Sequence, residues 1–445
     1  MDESLVAEKN RIIYIDCTYT INSGEITGIQ RVVLNIIKRG NIISDVSGND
    51  CIPVIFYKEV YIKLIDYALI NHMEINNFIY DFLHHDNEND IKKIIKKNYF
   101  IIKIREKLFS LIPGFFEKFF NIYSLIKKIF MFLTIRIIKI KFNKNDMLFM
   151  PDVFWDNDFK LSFVEKLSKN GVVIINLIYD IIPLLHPEIC DDNIIEIFEQ
   201  SFKKILTITN GIITISNSSK GAIEEYINKN FFSKERYIDY FYLGSDFNIN
   251  QKSNLNIRPV FLNLKSKKFF LTVGTIDLRK DQLTIVKSFQ YLWSIGKTDD
   301  LIIIGRIGLK GDAVIEYIKK IRQFNKNLFV FNDINDLELE FLYENSKALI
   351  IASKAEGFGL PLIEAMQYGL KIVASDIDIF HEIAGNSIRY FKVGDFMSLS
   401  KELENLDCGN NKIYRSWISW DESIRLLANK LTLRNSFFED AGKEP

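Results

Sequence analysis

Short apolar runs alternate along this chain with longer stretches in which apolar residues recur every three or four positions, the pattern of strands followed by amphipathic helices. Strands are predicted at 11–16, 52–57, 147–151, 171–178, 211–216 and 237–243, a series that argues for a doubly wound α/β domain. A second series is predicted at 269–273, 301–304, 328–331, 348–352, 371–374 and 388–391, the content of a second domain of the same kind. Between them Asn248-Ile-Asn-Gln-Lys-Ser-Asn-Leu-Asn256 is polar and aperiodic, which places a linker within 247–265. The stretch from Trp417 onward ends in an amphipathic helix, and no short-period repeat is visible.

Length and composition agree with two or three domains. A chain of 445 residues exceeds what one core holds, and 48% apolar residues suffice for ordinary cores. Four cysteines, Cys17, Cys51, Cys190 and Cys408, lack paired metal-ligand spacing. That suits a reducing compartment and argues against a disulfide framework or a zinc site. The first nine residues are acidic and lack the apolar core of a signal peptide, so a cytoplasmic location is expected.

Formal charge sums to zero, but residues 91–145 carry fourteen Lys or Arg against Glu106 and Glu117. Lys127, Lys128 and Arg136 interrupt any apolar run of the roughly 18 residues that a spanning helix needs. Two readings stay open for this basic amphipathic insertion. It lies in the interface of an anionic membrane, on the inner face of the cell membrane, or its helices pack on the first domain with their lysines in solvent. It is too apolar, and too far from any known module, for nucleic-acid binding.

Candidate chemistry concentrates in Glu356-Gly-Phe-Gly-Leu-Pro-Leu-Ile-Glu364-Ala-Met-Gln-Tyr-Gly369, a glycine-bracketed loop that runs from a strand into a helix. Pro361 suits the first helical turn, where its missing N–H is no loss. Gly357 and Gly359 permit close backbone approach, and the free N–H groups of the helix start can hold a phosphate. One carboxylate is then free to meet sugar hydroxyls and the other a ribose. A merely structural turn and a dinucleotide site are the alternatives. For the latter, Lys371-Ile-Val-Ala-Ser-Asp376 supplies a strand ending in an acid, but Leu362 stands where the third glycine should be.

The spacing of Glu356 and Glu364 resembles the E-x7-E signature of retaining glycosyltransferases of family 4, in the bacterial surface-polysaccharide branch that includes mannosyltransferases. Other segments are similar to that branch: Ile12-Ile-Tyr-Ile-Asp16 with Thr27-Gly28-Ile-Gln-Arg31, Tyr179-Asp180-Ile-Ile-Pro183-Leu-Leu-His186, Gly211-Ile-Ile-Thr-Ile-Ser216, Leu243-Gly244-Ser-Asp246 and Val273-Gly274-Thr-Ile-Asp277-Leu-Arg279-Lys280. The resemblance covers about residues 11–50 and 146–430. It implies the α/β GT-B fold, two facing Rossmann-like domains with an interdomain cleft and a C-terminal crossover helix. The acceptor-side domain would span 1–255, the donor-nucleotide domain 256–412, and the crossover helix and tail 413–445.

The resemblance also implies roles. Lys280 and Arg279 would stabilise the departing phosphate; family members often carry an Arg directly after the glycine, where this chain has Thr275, so Arg279 supplies the second charge. Glu356 would contact the transferred sugar and Glu364 the ribose, with Gly357, Phe358, Gly359, Leu360, Gly274 and Thr275 flanking sugar and phosphate. Ile334 and its neighbours would line the nucleobase, or form a plain helix cap at Asp336. Relatives carry His directly before Asp180, where this chain has Tyr179, so His186 inherits the acceptor-side role beside Asp180. Gly28 and Arg31 would complete the acceptor side.

The activity so implied is retaining transfer of a hexose, with GDP-mannose as one donor, to a lipid-linked or polysaccharide acceptor. Neither metal nor cofactor is expected, and other glycan-assembly enzymes are expected partners. The contrasting reading is a catalytically inert carbohydrate-binding or scaffold subunit, against which the joint presence of Glu356, Glu364 and Lys280 argues.

Overall fold

The computed structural model describes residues 11–23, 27–65, 139–155, 158–230, 232, 236–245, 257–262, 269–308, 310–406 and 417–432. Most of the basic insertion, the polar stretch 248–256, Asp246 and Cys408 lie outside the described residues. The chain divides into two compact units, Met1–Ile175 and Asn176–Pro445.

Among the described residues the strands form two sheets. The first has the order β3-β2-β1-β4-β5-β6-β7, with β1 (Ile12–Asp16), β2 (Asp50–Tyr57), β3 (Val60–Lys63), β4 (Met147–Met150), β5 (Val173–Ile178), β6 (Gly211–Thr214) and β7 (Tyr237–Tyr240). β1 pairs in parallel with both β2 and β4, so the strand order reverses between β1 and β4. The antiparallel β3 was not expected. It returns from β2 through Lys58 and Glu59, both at positive φ (46° and 64°). Hairpin turns of this hand usually announce themselves as Asn-Gly or Asp-Gly.

In the first unit, α1 (Gly28–Lys38) buries Val32, Val33, Ile36 and Ile37, one stripe at helical spacing. α2 (Asp158–Lys169) presents Lys160 to a buried network at the carboxyl ends of β1 and β4. The Lys160 ammonium lies 3.5 Å from Asp16 Oδ2 and donates to the Val153 carbonyl at 3.0 Å. Asp16 also accepts from the Thr18 hydroxyl and, at 3.1 Å, from Tyr61. Asp152 accepts from the Thr20 backbone at 2.7 Å and its hydroxyl at 3.0 Å. Burial, reinforced by Asp16, pushes the Asp152 carboxyl up to about 6.

The second sheet, within the second unit, has the order β10-β9-β8-β11-β12-β13 and all its pairs are parallel. Its strands are β8 (Phe269–Val273), β9 (Asp300–Ile304), β10 (Leu328–Phe331), β11 (Ala348–Ile351), β12 (Lys371–Ser375) and β13 (Arg389–Phe391). A parallel sheet covered on both faces needs apolar residues on both, which is why these strands read as unbroken runs such as Leu301-Ile-Ile-Ile304. The strand order reverses between β8 and β11, the crevice where ligands bind in open α/β sheets.

The helices of this unit used below are α3 (Asn217–Lys229), α4 (Gln282–Ser294), α5 (Asp336–Asn345), α6 (Leu360–Gln367), α7 (Asp378–Ala384), α8 (Phe396–Glu404) and α9 (Trp420–Thr432). Phe289 of α4 and Leu399 and Leu403 of α8 join Phe270, Leu301 and Val373 in one core. Ser288 and Ser400, small enough for close approach, share a hydroxyl hydrogen bond of 2.8 Å between these two helices. Within the expected linker a short helix, Pro259–Leu262, is preceded by Arg258, whose guanidinium forks to Glu338 and Asp333.

Candidate active site

Two loops meet where the second sheet reverses. One leaves β8 through Gly274 and carries Arg279 and Lys280; the other leaves β11 and carries Ser353 to Gly359 into α6. They are stitched by the Lys354 N–H, which donates to the Arg279 carbonyl at 2.8 Å. Asp277 accepts from the Lys280 N–H at 2.8 Å, and Gln282 accepts from the Asp277 N–H while donating to the Thr275 carbonyl, so the first loop is tied at three points.

Glu356 is the electrostatic centre. Its side chain is 8% exposed, Arg279 Nη1 lies 2.8 Å from Oε2, and the Lys280 ammonium contacts Oε1. Ser353 adds a hydroxyl donor at 2.6 Å. Burial alone would raise this carboxyl, but Lys280 and Arg279 outweigh it and hold it down at about 2. Arg279 is the converse case: burial would lower it, and Glu356, Asp277 and Asp180 raise it instead. Both cations keep part of their surface, at 27% and 15% exposed. The centre is therefore two cations on one permanently ionised carboxylate, an arrangement suited to receiving further negative charge.

The loop after β5 supplies the next carboxylate. Asp180 accepts from the Ile182 N–H at 3.1 Å, and burial raises its carboxyl against the opposing pull of Arg279. Gly357 packs directly on this loop: a Cβ there would stand 2.8 Å from the Tyr179 carbonyl oxygen and 2.9 Å from Asp180 Oδ2. Two residues on, Gly359 takes φ 108° at the cap of α6, a conformation that L side chains rarely adopt. A cavity of about 360 Å³ is lined by Asp180, Ile182, His186, Ser219, Glu356 and Asp376 among others.

The structure thus brings Asp180, His186, Glu356, Arg279 and Lys280 together. His186 is exposed, with Nδ1 3.3 Å from Glu188. Gly274 (φ 147°) and exposed Thr275 form the start of the first loop, and Phe358 and Leu360 flank Gly359. Glu364 does not line the cavity. It is 1% exposed on α6, and its carboxylate accepts from the Tyr343 hydroxyl at 2.8 Å.

Ile334 is half-buried in a turn that closes as a helix cap. The capping residue is Asn335 rather than Asp336: it accepts from the Glu338 N–H at 2.9 Å while Glu338 reaches back to the Asn335 N–H at 3.2 Å. In the first unit, Gly28 opens α1 and Arg31 lies exposed upon it.

Several residues of the centre escape sequence reasoning. Ser216 donates to the Gly357 carbonyl at 2.9 Å and Ser219 to that of Tyr179 at 3.0 Å. Glu382 of α7 accepts from the Asn217 and Ser218 N–H groups at 2.7 and 2.8 Å, capping α3 from outside. The sequence offered Ser216 only as the end of a segment similar to the family, followed by serines in the first turn of α3. Among the described residues no group of three or more His, Cys, Asp or Glu is placed to hold a metal ion, and no helix is long and apolar enough to cross a membrane.

Residues 254–411 match the family model described as glycosyl transferases group 1. That range holds Gly274, Arg279, Lys280, Glu356 and Glu364. The family 4 designation expected from the E-x7-E spacing is corrected by this match to group 1. The spacing reports how a loop enters a helix between two carboxylates, a local geometry that does not by itself fix the family. The solved structure of Anabaena Alr3699/HepE in complex with UDP-glucose aligns with a TM-score of 0.54 over 97% of this chain and 100% of that one, at 13% identity.

The fold is GT-B. Its two α/β domains and C-terminal helix correspond to the two sheets and α9.

Among curated proteins, this GT-B chain is 29% identical over 308 residues to the serotype-specific mannosyltransferase WbdA of Escherichia coli, covering 66% of this chain and 38% of that protein. It is 29% identical over 148 residues to the O-antigen chain mannosyltransferase RfbU of Salmonella typhimurium, covering 33% of this chain and 41% of that one. The matched segments therefore cover less than half the length of these curated relatives.

Proposed function

We propose that this chain is a retaining glycosyltransferase that moves a hexose from a nucleotide sugar to a lipid-linked or polysaccharide acceptor in bacterial surface-glycan synthesis. The observation that carries the reading is the pairing of Arg279 and Lys280 on Glu356 at the reversal point of a parallel sheet. A nucleoside diphosphate leaves with growing negative charge, and cations already in place stabilise that charge without reorganising. Glu356, held at about 2 and so ionised at neutral pH, keeps the two cations positioned and faces the transferred sugar. The peptide groups of Gly357 to Gly359 flank sugar and phosphate at the start of α6. Glu364 serves the ribose, and Gly274, Thr275, Leu360 and Ile334 line the nucleotide.

In a same-face transfer the departing phosphate takes the proton of the acceptor hydroxyl, with Asp180 and His186 on the acceptor side of the cavity. The names of WbdA and RfbU support mannose as the sugar, and the complex of Alr3699/HepE supports a nucleotide-sugar donor. The test is a thermal-shift screen of GDP, UDP, dTDP and ADP sugars followed by turnover with the stabilising donor. Ligand that binds only the folded state raises the melting temperature. One base should stand out, and its sugar should be transferred. No shift with any base, together with no turnover, would overturn the reading.

A further inference from the structure

The loop from Glu356 to Gly359 is also gripped by a group of aromatic rings. Phe358, 3% exposed, places its ring 6.3 Å from that of Tyr242 and 5.9 Å from that of Trp417, and these two rings are themselves 5.9 Å apart. The three rings therefore close on one another. Each outer ring is anchored in turn. The Trp417 indole N–H donates to the Leu243 carbonyl at 2.7 Å, and the Ser423 hydroxyl of α9 donates to the Tyr242 carbonyl at 2.7 Å. Between them the Ser245 N–H donates to the Ile418 carbonyl at 3.1 Å.

The same segment also holds the far end of α6. The Ser245 hydroxyl donates to Gln367 Oε1 at 3.0 Å, and Gln367 Nε2 donates to the Ser245 carbonyl at 2.8 Å. Residues 242–245, backed by 417–423, thus grip α6 at its leading loop through Phe358 and at its last turn through Gln367. Separately, the Ser216 hydroxyl donates to the Gly357 carbonyl. In the proposed function Gly357 to Gly359 meet the donor through their peptide groups, which does not by itself call for three mutually packed aromatic rings. Holding the backbone still does, because preplaced N–H donors stabilise charge only if they need not reorganise.

We propose that Tyr242 and Trp417 are positioning residues that hold Phe358, and through it the peptide groups of Gly357 to Gly359, in the geometry that receives the donor. This rests on the functional reading above, but its primary test does not depend on activity. In the full chain, Trp417→Ala should raise amide hydrogen exchange at residues 357–360 by about tenfold while leaving Leu301–Ile304 of β9 unchanged. Trp417→Phe, which keeps a ring, should restore most of the protection. With the donor identified, Trp417→Ala should lower kcat about 10- to 100-fold, the cost of a small misplacement. Its affinity for the nucleoside diphosphate should stay within about threefold of the parent.

Unchanged exchange at 357–360 in Trp417→Ala would overturn the proposal, as would a loss of protection spread equally over the second sheet. If Trp417→Ala does not fold, Phe358→Leu is read in the same way. If the parent protein turns over no sugar nucleotide, the functional reading fails while the exchange result still decides the positioning role.

Discussion

Each sheet reverses its strand order at a point where carboxylates gather, and the two points differ in how their cations are held. Between β1 and β4, the fully buried Lys160 ammonium pairs with Asp16 and acts on Asp152 through its charge, while Thr18, Thr20 and Tyr61 donate to the two carboxylates. Between β8 and β11, Arg279 and Lys280 converge on the single carboxylate of Glu356 and both keep exposed surface. The first arrangement has negative charge to spare and answers it internally, at the cost of raising Asp152 to about 6. The second sets two cations directly on one carboxylate, with Asp277 and Asp180 also acting on Arg279, and leaves both cations partly exposed. The two reversal points therefore differ in how far their cations are exposed, Lys160 being fully buried and Arg279 and Lys280 only partly so.

The largest expected effect tests the carboxylate that the two exposed cations share. Glu356→Gln should lower sugar transfer about 100- to 1000-fold, or about 2.7–4 kcal/mol of transition-state stabilisation, while the variant stays folded and still binds the nucleotide. Steady-state kinetics beside calorimetric titration of the nucleoside diphosphate would show this. Near-parental turnover would move the chemistry away from the second sheet's reversal point.

Next in size is an opposite response to pH. The folded Glu356 carboxyl titrates at about 2, below its ordinary 4.5, so its stabilising contribution is complete above pH 4.5 and is lost as pH falls toward 2; the linkage amounts to about 3 kcal/mol. The folded Asp152 carboxyl titrates at about 6, above its ordinary 3.8. The folded state then holds more protons than the unfolded one, and local stability increases as pH falls from above 6 toward 4, again by about 3 kcal/mol. Hydrogen exchange corrected for intrinsic rates should show β1 and β4 amides becoming better protected between pH 7 and 5. Asp152→Asn should flatten that slope, and a slope that persists in the variant would assign it to another group.

The smallest effect concerns Glu364. Tyr343→Phe removes the hydroxyl that donates to its carboxylate, a hydrogen bond worth about 1 kcal/mol. If Glu364 serves the ribose, donor affinity should weaken several-fold while kcat holds, and the weakening should vanish with a 2′,3′-dideoxy nucleotide. An equal loss with both nucleotides would make Tyr343 a packing residue only.

Much of the fold is written locally. Runs such as Phe270-Leu-Thr-Val273 and Ala348-Leu-Ile-Ile351 read by their shortness and composition as buried strands, and Pro361 with Gly359 marks the entry to α6. The hairpin strand β3 was hidden because Lys58 and Glu59 occupy a turn at positive φ without the glycine or asparagine that would announce it. The expected linker, likewise, showed no period that would reveal the helix Pro259–Leu262.

In the candidate site, Arg279, Lys280 and Glu356 were singled out through the resemblance, whose motifs carry both loops, and the structure brings the three side chains into contact. Ser216, Glu382 and Trp417 were not. Their partners Gly357, Asn217 and Phe358 lie far away in the chain, and no periodicity carries information across such separations. The basic residues of 91–138 lie outside the described residues, so their two readings stand as the sequence left them.

Glu338 has a bearing on how substitutions should combine. Its carboxylate closes the cap of α5 by accepting from the Asn335 N–H, and the same two oxygens accept from the backbone and guanidinium of Arg258. One side chain is thus shared by a local device and a tertiary brace 80 residues apart. Losses at Arg258 and Glu338 cannot be independent, since removing Glu338 already strips Arg258 of its main partner. The double variant should fall well short of the sum of the two singles, whereas Asn335 and Arg258, coupled only through that carboxylate, should come closer to additivity.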